Sequence, residues 1–101
     1  MTYLLGIDIG TSGSKALLIT PEGQVAASAS TPYPLHTPRP LWAEQDPEDW
    51  WQATLASIRR VIEEAAVQPA HIAGMGLTGQ MHGLVLLDAQ GQVLRPCIMW
   101  N

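Results

Sequence analysis

The chain has 101 residues, a formal net charge of −4, 47% hydrophobic residues and 14% charged ones. That length holds one domain, or part of one, around one core. The acidic balance argues against a nucleic-acid or anionic-membrane surface, and the apolar content against disorder. Cys97 is the single cysteine, which excludes an internal disulfide and fits a reducing compartment. Met1–Leu5 has neither a basic region nor a long apolar run, so no secretory leader or membrane span is expected. The charge is low for a small free-standing domain, which implies that further chain covers part of the surface.

Strands are predicted over Tyr3–Ile9, Lys15–Thr20 and Gln24–Ser30, with Leu5, Ile7 and Ile9 alternating onto one face of the first. Thr20-Pro21-Glu22-Gly23-Gln24 joins the second to the third, with proline and glycine at positions that suit a hairpin turn. Residues 32–45 read as loop, because Pro32, Pro34, Pro38 and Pro40 each lack an N–H donor. Residues 46–66 give the strongest helix signal. Asp46 stands at the N-cap, Pro47 at N1 and Asp49 at N3, while Trp51, Leu55, Ile58, Ile62 and Ala65 follow the 3.6-residue period. The helix should end before Pro69. Strands are predicted again over Ile72–Thr78, Leu84–Leu87 and Val93–Met99, and Asp88-Ala89-Gln90-Gly91-Gln92 repeats the turn chemistry of the first hairpin. The order β-β-β-α-β-β-β implies an α/β fold with a mixed sheet.

Two glycine motifs stand out. Gly74-Met75-Gly76-Leu77-Thr78-Gly79 matches G-x-G-x-x-G, but a strand follows it where a dinucleotide site needs a helix. The expectation is a strand whose small residues let another element approach. Asp8-Ile9-Gly10-Thr11-Ser12-Gly13-Ser14-Lys15 is not a Walker A loop, since no glycine directly precedes Lys15 and no helix pattern follows. It connects two strands through small residues. Gly10 and Gly13 can take backbone angles closed to other residues. Successive N–H groups can form an anion-binding nest, and a bridging Mg²⁺ would reconcile Asp8 with phosphate. A plain Gly/Ser hairpin with an Asx turn at Asp8 fits the same octapeptide, and the residues alone leave both readings open.

Leu5-Gly6-Ile7-Asp8-Ile9-Gly10-Thr11-Ser12 resembles the first phosphate motif of the actin-like ATPase superfamily. Leu41-Trp42-Ala43-Glu44-Gln45-Asp46-Pro47 with Trp50-Trp51 resembles the FGGY carbohydrate kinases, and Gly79-Gln80-Met81-His82-Gly83 resembles their xylulokinase branch; Ile98-Met99-Trp100-Asn101 also fits. The resemblance implies a ribonuclease-H-like domain, here the opening part of the first of two, with the general base and adenine pocket in chain beyond residues 1–101. It implies a cytoplasmic enzyme that moves the γ-phosphoryl of ATP to D-xylulose or a related ketose, inactive as this piece alone, with the rest of the kinase chain as partner and a homodimer for the full-length form. Asp8 would be catalytic and hold Mg²⁺. Gly10, Thr11, Ser12 and Gly13 would cradle phosphate oxygens, and Lys15 would either add a point charge or remain a solvated lysine. Gln80, Met81 and His82 would bind the sugar; glycerol kinases carry an Arg-Glu pair at the place of Met81 and His82. A sibling kinase for another polyol and a non-catalytic actin-like module are the competing expectations. Trp42, Trp50 and Trp51 are expected to pack, Cys97 to be a small core residue, and His36 and His71 lack metal-site spacing.

Overall fold

The structure, a computed structural model, describes residues 1–99. Its elements run β1 (Tyr3–Ile9), β2 (Gly13–Ile19), β3 (Val25–Pro32), β4 (Glu44–Gln45), α1 (Pro47–Ala65), a short 3₁₀ turn (Pro69–His71), β5 (Ile72–Thr78) and β6 (Cys97–Ile98). The main sheet has the order β3-β2-β1-β5, with two antiparallel hairpin pairings and β5 parallel to β1. The mixed α/β sheet is therefore as expected. Among the described residues no helix is long and apolar enough to cross a membrane.

Side-chain alternation places Leu5, Ile7, Ala16, Leu18, Ala27 and Ala29 on one face, where they form the core with Val61 and Val67. Helix α1 covers this face over β2 and β3. It starts where the sequence places it: the Asp46 carboxylate accepts from the Glu48 N–H at 2.9 Å, with Pro47 opening the helix. It stops at Ala66, which turns left-handed at φ 52° and donates its N–H to the Glu63 carbonyl.

The buried stripe of α1 is not the one the large apolar residues suggest. Ala53, Thr54, Ser57 and Val61 face the sheet, Ile58 and Ala65 flank them, and Trp51 is 57% exposed. The period is right and the phase is shifted. The sheet beneath is surfaced by Ser14, Ala16, Ala27 and Ala29, so small side chains let the helix sit close. Their hydroxyls then pair across the seam. Ser14 Oγ lies 2.8 Å from Thr54 Oγ1, Thr31 Oγ1 lies 2.8 Å from Ser57 Oγ, and Ser57 Oγ donates to the Ser14 carbonyl at 3.2 Å. A buried hydroxyl is tolerated when it is so partnered.

The segment after β5 departs from expectation. The strands predicted over Leu84–Leu87 and Val93–Met99 are reduced to the bridges Leu84 to Ile98 and Leu87 to Val93, plus the two-residue β6. Pro96 removes a donor from one arm, and Leu84, Leu86, Leu87, Val93 and Leu94 are all exposed, so no packed face holds the arms flat. β6 pairs with β4 in a separate two-stranded sheet rather than extending the main one. Trp100 and Asn101, part of the last motif, lie outside the described residues. The shared turn chemistry does hold. Gly23 (φ 89°) and Gly91 (φ 81°) both close their turns by donating to the carbonyl three residues back, Thr20 at 2.9 Å and Asp88 at 3.0 Å.

Candidate active site

The face of the sheet opposite α1 is open. Asp8 lies on it beside Lys15 of β2 and Thr78 of β5 in the strand registers, and Gly6 lies beside Leu17 and Gly76. These residues line a groove of about 440 Å³. Its floor is low because Gly6 and Gly76 carry no side chain, and a Cβ at Gly76 would meet nothing within 4 Å. The close approach expected over the glycines of β5 is thus not made by any described residue. A turn, not a helix, follows β5, which disposes of a dinucleotide site at Gly74–Gly79. Among the described residues no ion pair joins Lys15 to Asp8; Glu44 pairs instead with Arg95.

The loop between β1 and β2 stands at the end of this groove. The Gly10 N–H donates to the Gly13 carbonyl at 3.0 Å. Neither Gly10 nor Gly13 has a positive φ, so the left-handed angles open to glycine are not used at either position. Gly13 is required for a different reason: a Cβ there would lie 2.6 Å from the Thr31 carbonyl oxygen and 3.0 Å from Pro32 Cα. The β3 backbone presses against the loop too closely for any side chain.

Three successive carbonyls of the loop are captured by neighbouring chain. The Tyr33 hydroxyl donates to the Gly10 carbonyl, Gln45 Nε2 to the Thr11 carbonyl at 2.6 Å, and the Tyr33 N–H to the Ser12 carbonyl at 3.2 Å. In a trans peptide the C=O and the next N–H point in opposite directions. All peptides here are trans. Capturing these carbonyls therefore turns the N–H groups of Thr11, Ser12 and Gly13 away from Tyr33 and Gln45. That is one condition of an anion-binding nest, which also requires the N–H groups to converge. Burial, and second the nearby Asp8 charge, push the Tyr33 phenol up to about 12, so it stays protonated and donating across the ordinary pH range.

Gln80 reaches the same loop: its Nε2 lies 3.2 Å and its Oε1 3.4 Å from Thr11 Oγ1. The segment after β5 and the phosphate-loop candidate are therefore in direct contact. Met81 and His82 are exposed on the turn, His82 with φ 58°, and neither lines the Asp8 groove. Gly83 packs tightly, since a Cβ there would meet Cys97 Sγ at 3.1 Å. Cys97 is fully buried with Ala43 and Met99, and burial raises its thiol pKa while a hydrogen bond from the Leu84 backbone pulls it down. That is a packing residue, not a nucleophile.

Tyr33 and Gln45 were not singled out from the sequence as site residues. Tyr33 sits between Pro32 and Pro34, an aromatic in a stretch of structure breakers, and that contrast was the available signal. For Gln45 the signal was its place in the Leu41–Pro47 stretch that resembles the FGGY kinases, since an amide next to an N-cap otherwise looks like any surface polar group.

The N-terminal domain of the FGGY family of carbohydrate kinases matches residues 3–101. The chain belongs to that family. It is 46% identical over 97 residues to the xylulose kinase of Escherichia coli (strain K12), covering 96% of this chain and 20% of that protein. It is 40% identical to the glycerol kinase of Ralstonia nicotianae over 102 aligned positions, covering 100% of this chain and 20% of that protein. The fold superposes with a TM-score of 0.88 on the crystal structure of a xyloylose kinase from Brucella ovis, at 45% identity, covering 98% of this chain and 21% of that one. The chain thus spans about one fifth of the length of these relatives, and the actin-like ATPase fold expected from its first motif is the fold of its structural neighbours.

Proposed function

We propose that this chain is the opening part of the first domain of an ATP-dependent carbohydrate kinase that phosphorylates the 5-hydroxyl of D-xylulose or a closely related ketose. The observation that carries this is the capture of the Gly10, Thr11 and Ser12 carbonyls by Tyr33 and Gln45, with Asp8 at the adjoining strand end. Phosphoryl transfer asks the protein for positioning and charge stabilisation more than for covalent chemistry. The N–H groups of Thr11, Ser12 and Gly13 supply preorganised donors for phosphate oxygens that need no reorganisation during reaction. Lys15, cross-strand from Asp8, adds a positive charge at the groove.

Among the described residues no group of three or more His, Cys, Asp or Glu gathers to hold a metal. One carboxylate beside a phosphate cradle nonetheless suits Mg²⁺, which takes one or two carboxylates, substrate phosphates and waters rather than a full protein cage. Asp8 is that carboxylate, and the ion would supply charge neutralisation on the β- and γ-phosphates. Gln80, Met81 and His82 take the sugar side, where an imidazole can both donate to and accept from hydroxyls.

Identity to xylulose kinases across nearly the whole chain supports the ketose reading. The 40% identity to a glycerol kinase supports a second reading, another polyol as acceptor. The test is ADP release by the complete kinase polypeptide against a panel of ketoses and polyols, for the wild type and Asp8→Asn. We expect turnover to be highest with D-xylulose and to fall by orders of magnitude in the variant. A wild-type kcat in Asp8→Asn at saturating Mg-ATP would remove Asp8 from the chemistry, and a preference for glycerol would replace the ketose reading with the second.

A further inference from the structure

We propose that Gln45 is a positioning residue for phosphoryl transfer, fixing the Thr11 carbonyl so that the phosphate loop keeps its shape before nucleotide binds. Its side chain is fully buried, and both ends of the amide are used. Nε2 donates to the Thr11 carbonyl at 2.6 Å, and Oε1 accepts from Trp50 Nε1 at 2.9 Å. Trp50 belongs to the first turn of α1, so the amide links a rigid helix start to the centre of the loop.

Thr11 is gripped from two sides. Gln45 holds its carbonyl, and Gln80 holds its hydroxyl. Trp50 and Gln80 also line one small cavity of about 160 Å³ with Ile9, Gly79, Gly83 and Val85, which puts the partners of the two grips side by side. The amide reaches from β4 to a loop 34 residues earlier in the chain. Its donor end also fixes the orientation of the Thr11–Ser12 peptide: without it, the Ser12 N–H loses the constraint that turns it away from the protein interior. Freed of that constraint, the loop must be ordered by nucleotide at the moment of binding, which weakens phosphate affinity and misplaces the γ-phosphoryl.

The inference rests on the kinase reading above, and its test separates the two. In the complete kinase polypeptide, Gln45→Glu keeps an acceptor for Trp50 Nε1 but, ionised, has no proton for the Thr11 carbonyl; Gln45→Leu loses both bonds, and Trp50→Phe loses only the second. Each is measured by Mg-ADP calorimetry, steady-state kinetics and thermal unfolding. For both Gln45 variants we expect the Mg-ADP dissociation constant to rise at least about fivefold and kcat to fall about tenfold or more, while KM for the sugar shifts less than about twofold. Trp50→Phe should move the same two quantities by less, and it decides the matter if the Gln45 variants do not fold. A purely structural role predicts lost active protein with unchanged Mg-ADP affinity per folded molecule, and that result overturns the proposal. So does Mg-ADP affinity and kcat within twofold of wild type in a folded Gln45 variant. A wild type that binds Mg-ADP yet phosphorylates no sugar overturns the kinase reading instead, leaving the Mg-ADP affinities to judge Gln45.

Discussion

Gly13→Ala isolates the reason that glycine stands in the loop. The new Cβ would lie 2.6 Å from the Thr31 carbonyl oxygen and 3.0 Å from Pro32 Cα, both backbone atoms that cannot rotate away. Ordinary contact begins near 3.4 Å, so β2 and β3 must part by about 0.8 Å at the root of the loop. Forcing a methyl into packed structure costs about 1–3 kcal/mol. Because φ at Gly13 is not positive, alanine also restricts the unfolded chain and returns about 0.4–1 kcal/mol. The net expectation is a loss of up to about 2.6 kcal/mol, centred on about 1.3 kcal/mol. Two controls frame it. Gly76→Ala meets nothing within 4 Å and should be neutral or slightly stabilising, and Gly23→Ala meets nothing either but is strained by its φ of 89°. Urea denaturation followed by tryptophan fluorescence ranks the three. A Gly13→Ala protein as stable as Gly76→Ala would refute the close-approach account.

Three further outcomes are expected. Ser57→Ala removes the partner of Thr31 Oγ1 and of the Ser14 carbonyl, and should cost about 1–3 kcal/mol in the same denaturation assay, while Trp51→Ala on the exposed face of α1 costs less than half of that. Tyr33 is held protonated up to about 12 against an ordinary phenol near 10, so its contribution to stability is complete below pH 10 and is lost as pH rises towards 12; the stability difference between wild type and Tyr33→Phe should be flat below pH 10 and shift against the wild type above it. His82→Ala in the complete kinase should raise KM for the ketose by about tenfold or more, the size of one lost charged or polar contact, and leave KM for ATP within about twofold; equal small effects on both would take His82 out of the sugar site.

The main sheet was legible because local rules agreed with one another. Alternation in Tyr3–Ile9 and Ile72–Thr78, the Pro-Glu-Gly turn and the Asp46-Pro47 start each act within a few residues, and each appears where the sequence puts it. The buried stripe of α1 differs from the predicted one because side-chain size does not decide burial against a sheet of small residues. Trp51 is large and apolar yet exposed, while Ser57 is polar and fully buried, since the sheet beneath offers alanines and two hydroxyls at the right spacing. That information sits in β2 and β3, not in the helix. The strands expected after Thr78 are short for a related reason: Leu84, Leu86 and Leu87 carry the composition of a strand, but about half of each side chain stays exposed among the described residues. Met75 and Leu77 of β5 stand likewise on the core side of the sheet, 72% exposed, beyond the reach of α1.

The site divides in the same way. Asp8 and the small-residue loop were visible as a motif, and the two open readings differed only in whether the loop's N–H groups are presented. The loop's own glycines do not decide that, because neither adopts a left-handed angle. What the structure adds comes from residues 33 and 45, in a proline-rich stretch that reads as connection: they occupy the carbonyls of Gly10, Thr11 and Ser12, which supports the proposed nest. Tyr33 follows directly on β3, whose last residue presses on Gly13, and so its N–H and hydroxyl arrive at Ser12 and Gly10 together. Gln45 immediately precedes the N-cap of α1, so the helix start and the Thr11 carbonyl are fixed by adjacent residues. The prolines now have a physical role: Pro32 and Pro34 stiffen the backbone on either side of the tyrosine, so less entropy is lost in holding its hydroxyl on Gly10. A loop built of Gly, Thr and Ser has little preference of its own, and its geometry follows from what grips its carbonyls.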